Sequence, residues 1–128
     1  MQFNTHLPIY IQIADHIRDL ILGGTWPDGE RIPSVRDLAV ELEVNPNTVI
    51  RTYSLLQEEG TLDNKRGIGY FTSPDARDLV LRQKRNRFIE TELPQLFASM
   101  EKLGITFAEL ERYFETFQQE KRDHETEK

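Results

Sequence analysis

Apolar residues recur in two rhythms along the chain, and the change from one to the other marks its elements. Ile9, Ile13, Ile17, Leu20 and Ile21 return at helical spacing behind Pro8, a residue suited to a first helical turn, until Gly23 and Gly24 end the pattern. Residues 25–33 hold Pro27, Gly29 and Pro33 and read as a connecting loop in which Trp26 packs against helices. Ser34 is a natural N-cap with Asp37 in the capping-box position, and the helix that follows buries Val35, Leu38, Ala39 and Leu42. After a short Glu43-Val44 connection, Asn45 caps and Pro46 opens a third helix, which runs to Glu59 before Gly60 stops it. Two short helices joined by a tight turn are a helix-turn-helix. Val49, Tyr53 and Leu56 face inward, which leaves Asn47, Thr48, Ile50, Arg51 and Ser54 on other faces. In such a motif the N-terminal residues of the second helix meet base edges in the major groove.

The rhythm then shortens to alternation. Residues 61–65 and 70–73 predict a hairpin, the wing, whose tip Lys65-Arg66-Gly67-Ile68-Gly69 joins two cations to glycines that let backbone approach a phosphate or the minor groove. From Asp75 the helical rhythm returns. Ile89, Leu93, Leu96, Met100 and Leu103 step by four and three, broken by Pro94, which predicts a kink or a fresh helix start, and Gly104 closes the run. Thr106 and Glu109 form a second capping box ahead of Phe107, Leu110, Phe114 and Phe117. Two helices with one apolar seam each do not bury both seams thoroughly alone, so a hairpin from a second subunit would complete them. Residues 118–128 are polar and expected to fray. The fold class that follows is mostly α with a small β-hairpin: a winged helix-turn-helix domain over residues 1–74, then a C-terminal helical hairpin for dimerisation over 75–128.

Composition narrows the function. The chain has 128 residues, 38% of them hydrophobic and 30% charged, enough for a small core and too short for a large catalytic domain beside a second module. It has no cysteine, which excludes disulfides, thiol chemistry and Cys-based zinc sites. His6, His16 and His124 are too scattered for a metal site, and no phosphate-binding loop, paired-carboxylate cleft or nucleophile with a base is present. No enzyme activity, catalytic residue, metal or cofactor is therefore expected. No apolar run reaches a membrane span and the N-terminus lacks a signal-peptide layout, so the expectation is a cytoplasmic protein without a membrane partner. The net charge of −6 argues against nucleic acid. Locally it does not: residues 44–57 carry Arg51 and no acid, and 64–74 carry Lys65 and Arg66 and no acid.

Four segments, PIYIQIADHIRDLILGG, PDGERIPSVRDLA, VNPNTVIRTYSLLQEEG and RGIGYFTS, stand in an order and spacing that resemble the N-terminal domain of GntR-family bacterial regulators. The short tail is similar to the YtrA branch of that family. The resemblance implies a winged helix-turn-helix, a homodimer and a near-palindromic DNA operator, generally repressed. It also implies DNA contacts from Arg36, from the start of the recognition helix (about 46–59) and from the wing-tip Gly67 in the wing (about 61–73). Many family members carry arginine where this chain has Pro46 and Ile50, so base readout leans on Asn45, Asn47, Thr48 and Arg51.

Each candidate has a plainer reading beside the functional one. Arg36 opposes the helix dipole at the start of the second helix, which favours an external anion over a surface ion pair with Glu41. Arg51 is a base or phosphate contact or an exposed helix residue; Asn45 is chiefly a cap. Asn47 and Thr48 stand where ordinary helix starts favour acids. Lys65 and Arg66 contact backbone or sit as solvated turn residues. Arg82, Lys84, Arg85 and Arg87 read as a solvated helical face rather than a DNA flank contact. Phe107, Tyr113, Phe114 and Phe117 pack a dimer core or, less readily, line an effector pocket. The leading function is a homodimeric repressor of double-stranded DNA, with a small-molecule effector of unknown identity as the candidate switch; the alternative is a winged-helix protein-interaction module without DNA binding.

Overall fold

The computed structural model describes residues 1–126. Its elements are α1 (Ile9–Leu22), α2 (Val35–Leu42), α3 (Pro46–Glu58), β1 (Leu62–Lys65), β2 (Gly69–Thr72), α4 (Ala76–Arg87), α5 (Leu93–Leu103) and α6 (Phe107–Thr126), with a π-helical turn Phe88–Glu92 between α4 and α5. The chain divides into two compact units, Met1–Arg85 and the residues from Asn86 onward. Among the described residues no helix is long and apolar enough to cross a membrane.

The first unit is built around one core. Ile13, Ala14, Ile17 and Ile21 of α1 meet Leu38 and Ala39 of α2, Val49, Tyr53 and Leu56 of α3, and Leu62 of β1, all buried. Val35, Leu42, Val44 and Trp26 pack against this cluster half-buried. Arg18 on α1 grips the Glu59 carboxylate with one guanidinium nitrogen, 2.7 and 2.9 Å from its two oxygens, and so ties α1 to the end of α3. The antiparallel hairpin pairs Leu62 with Thr72 and Lys65 with Gly69. Residues 25–33 do more than connect. Arg31 bridges Phe71, Ile32 N–H donates to Tyr70 O (3.0 Å) and Thr72 N–H to Glu30 O (2.9 Å), so this segment runs along the outer edge of β2. Packing also sets the boundary of the unit later than the change of composition at residue 75, because Ala76 and Val80 of α4 lie fully buried in the core.

In the second unit the helix continues through the π-helical turn, where Leu93 N–H donates to Phe88 O. Pro94 lacks the N–H that would bond back to residue 90, and a π-turn just ahead of it is a common way for a helix to absorb that loss. Gly104, at φ 70°, ends α5 in the left-handed conformation. The Thr106 hydroxyl accepts from Glu109 N–H (3.2 Å) and starts α6. The only apolar side chain of these helices that is buried is Met100. Ile89, Leu96, Phe107, Phe114 and Phe117 are exposed, with Phe107 at 73% and Phe117 at 62%, and Leu93 and Leu110 are half-buried.

Candidate nucleic-acid interface

The geometry of the helix-turn-helix begins with its caps. The Ser34 hydroxyl accepts from Asp37 N–H (3.1 Å) and the Asn45 side-chain oxygen from Asn47 N–H (2.8 Å), each satisfying a donor the helix itself leaves free. Between them Glu43 takes a left-handed conformation, φ 56°, at a cost of roughly 1 kcal/mol or more for a residue with a Cβ. That residue turns the chain sharply enough for α3 to leave α2 and dock across α1. Tyr53 then fixes α3 from beneath. Its hydroxyl donates to Pro33 O (2.7 Å), its ring lies 4.7 Å from that of Tyr70 on β2, and burial pushes the phenol well above its usual pKa, so it stays a donor. One buried side chain therefore joins the loop before α2, the third helix and the wing.

What α3 turns outward is a stripe. Asn47, Ile50, Arg51 and Ser54, at spacings of three, four and seven, are all exposed, and Thr48 beside them is half-buried. The Arg51 guanidinium lies over the Tyr10 ring, 4.1 Å from its centroid, which holds the cation at the edge of α3 while leaving its N–H donors free to turn outward. At the wing, Ile68 N–H closes the turn onto Lys65 O (2.9 Å). Gly67 has φ 78° with open space where a Cβ would stand, and the Lys65 ammonium sits 4.2 Å from the Phe71 ring centroid.

The structure adds a cation that the sequence pattern does not reveal. Arg31 lies against the bare face of Gly69, where a Cβ would come within 3.1 Å of its Nε. Only the pairing of residue 31 with β2 brings it to the wing, and that pairing has no local signature.

Most cations of the first unit, Arg77, Arg82 and Arg85 on α4 among them, stand outside its ion pairs. The four ion pairs among the described residues use Arg18 and Lys84: Arg18 with Asp15 and Glu59, and Lys84 with Asp15 (3.9 Å) and Asp19 (2.9 Å). Lys84 is thus part of a paired helical face. Arg31, Arg36, Arg51, Lys65 and Arg66 are exposed and none takes part in these pairs; in particular Arg36 does not pair with Glu41.

Three helices with a helix-turn-helix, a hairpin and one shared core define a winged helix-turn-helix protein. Residues 9–71 match the model of the bacterial regulatory proteins of the gntR family. The transcriptional regulator YhcF of Bacillus subtilis is 34% identical over 91% of this chain and 94% of its own length. The transcriptional repressor YtrA of the same organism is 34% identical over 83% and 81%. A crystal structure of a putative GntR-family regulator from Bacteroides thetaiotaomicron shares 41% identity and a TM-score of 0.76, over 88% of this chain and 99% of that one. The DNA-binding domain of AraR in complex with operator ORX1 is 25% identical, with a TM-score of 0.53 over 56% of this chain and 93% of that one. The chain belongs to the GntR family of bacterial transcriptional regulators, and its similarity to YtrA extends beyond the winged-helix unit into the helical tail.

Proposed function

We propose that this protein is a homodimeric repressor that binds an inverted-repeat operator with α3 in the major groove and the wing on the flanking backbone. The observation that carries the reading is the set of exposed cations, Arg36, Arg51, Lys65 and Arg66, that take no part in ion pairs around an acid-free stripe. Arg77, Arg82 and Arg85 on α4 are exposed and outside these pairs as well, so what distinguishes the four is their place on the helix-turn-helix and the wing. In this reading Asn47, Thr48 and Arg51 meet base edges, with Asn45 in support as a cap. Arg36, Lys65, Arg66 and the Gly67 backbone hold phosphates. The likeness to YtrA supports repression, and the likeness to an operator-bound AraR domain supports duplex DNA as the ligand.

The dimer reading rests on Ile89, Leu93, Leu96, Met100, Phe107, Leu110, Phe114 and Phe117, a set of which all but Met100 retains solvent-exposed apolar surface in a single chain. A second copy sets two recognition helices about 34 Å apart, one turn of DNA. A small-molecule effector would act by binding one arrangement of the two heads better than another.

Selection from randomised duplexes, with solution mass measured in parallel, tests this. The expected result is an enriched inverted repeat bound by a dimer, with affinity falling steeply as salt rises. Arg51→Ala and Asn47→Ala each lower specific affinity by roughly 1–3 kcal/mol with the dimer intact. Absence of any enriched duplex at low salt overturns the reading in favour of a protein-interaction module.

A further inference from the structure

Ile50 is an apolar side chain where the outward face of α3 is otherwise polar. It is 47% exposed and stands outside the apolar cluster that fills the core and the residues packed on it. It lies one helical turn from Asn47 and one from Ser54, with Arg51 adjacent, in the second turn of a helix that Asn45 and Pro46 begin. A branched aliphatic group among hydrogen-bonding neighbours takes no part in the core from this position. It also has no donor or acceptor with which to read a base edge. The one apolar group that a base pair offers in the major groove is the C5-methyl of thymine.

We infer that Ile50 is a specificity-determining residue that reads a thymine methyl within each half-site, between the bases contacted by Asn47 and Arg51. This rests on the proposed insertion of α3 in the major groove. Its contact removes from water apolar surface on both partners, the isoleucine branch and the methyl, and so discriminates thymine from cytosine and from any purine at that step. Uracil, which presents the same carbonyl oxygen without the methyl, isolates the effect.

The test takes the duplex enriched by selection and replaces its thymines with deoxyuridine one at a time, with binding followed by fluorescence anisotropy. One thymine per half-site is expected to matter, its loss of a methyl weakening wild-type binding about fourfold, the worth of one buried methyl-sized group. With Ile50→Ala the same replacement has no effect, so the double-mutant cycle assigns the coupling to this pair. The variant is expected to fold, since it removes an exposed side chain and installs the best helix former; a melting temperature like that of wild type checks this. If no thymine methyl matters, or if its loss is equally felt by Ile50→Ala, the inference fails while operator binding stands. If no duplex is enriched, the operator reading fails first and takes the inference with it.

Discussion

The residues up to Arg85 and those from Asn86 onward spend their apolar side chains in opposite ways. In the first unit twelve apolar residues from α1 to α4 close around Tyr53, and the large apolar residues left exposed there include no aromatic ring. In the second, α5 and α6 carry an equally regular seam, yet Met100 alone is buried and six aromatic rings or aromatic-sized patches of surface stay in solvent, Phe88, Phe97, Phe107, Tyr113, Phe114 and Phe117. Regular amphipathic spacing makes a helix in both units. Whether that helix finds its core within the chain is a separate question, answered by how many elements converge on it. The first unit has four helices and a hairpin to enclose one volume; the second has two helices.

The largest effect that would break this contrast is loss of assembly. Leu96→Asp combined with Phe114→Asp should halve the mass in solution, measured by light scattering, and leave monomers that bind half-sites weakly while the first unit keeps its own unfolding transition. An unchanged mass moves the dimer interface elsewhere. Next comes a core truncation: Tyr53→Ala should cost about 3–5 kcal/mol of stability in urea unfolding, as it opens a cavity and leaves Pro33 O without its donor. A loss below 1 kcal/mol would show that the first unit does not depend on its centre. Smallest is Lys84→Ala. Its partners Asp15 and Asp19 are largely exposed, so removing the pairs should change stability by about 1 kcal/mol or less and leave operator affinity unaltered. A clear loss of affinity would instead make α4 part of the interface.

Much of this was legible in the residues, and the reason is that it is local. Ser34, Asn45 and Thr106 each cap a helix through a backbone N–H two or three residues on, and such contacts are written in the sequence within one turn. The inward residues of α3 follow from helical period alone. The unread parts depend on partners distant in the chain. Residues 25–33 look like a loop because Pro27, Gly29 and Pro33 punctuate them, yet their backbone pairs with β2 some forty residues on, and Arg31 reaches the wing by that route. Ala76 and Val80 look like the start of a charged tail, but belong to the first core. The change at Pro94 is only half legible: a break is expected, while the π-turn that absorbs it lies ahead of the proline. For the interface, Asn47, Thr48, Arg51 and the outward place of Ile50 follow from the period and position of α3, whereas the stacking of Arg51 on Tyr10 needed the packed α1 to be seen.

The close fit of Arg31 on Gly69 bears on how this surface can change through descent. Two conditions hold residue 69 to glycine, and they are not equivalent. The guanidinium leaves no room for a Cβ, a bar that any shorter residue at 31 would lift, but the backbone there has φ 146°, which side chains rarely adopt whatever the space. Arginine at 31 is therefore free to drift without disturbing the backbone of the wing, and glycine at 69 is not. Lineages that have lost the cation should still keep the glycine, and the reverse order of loss should be rare.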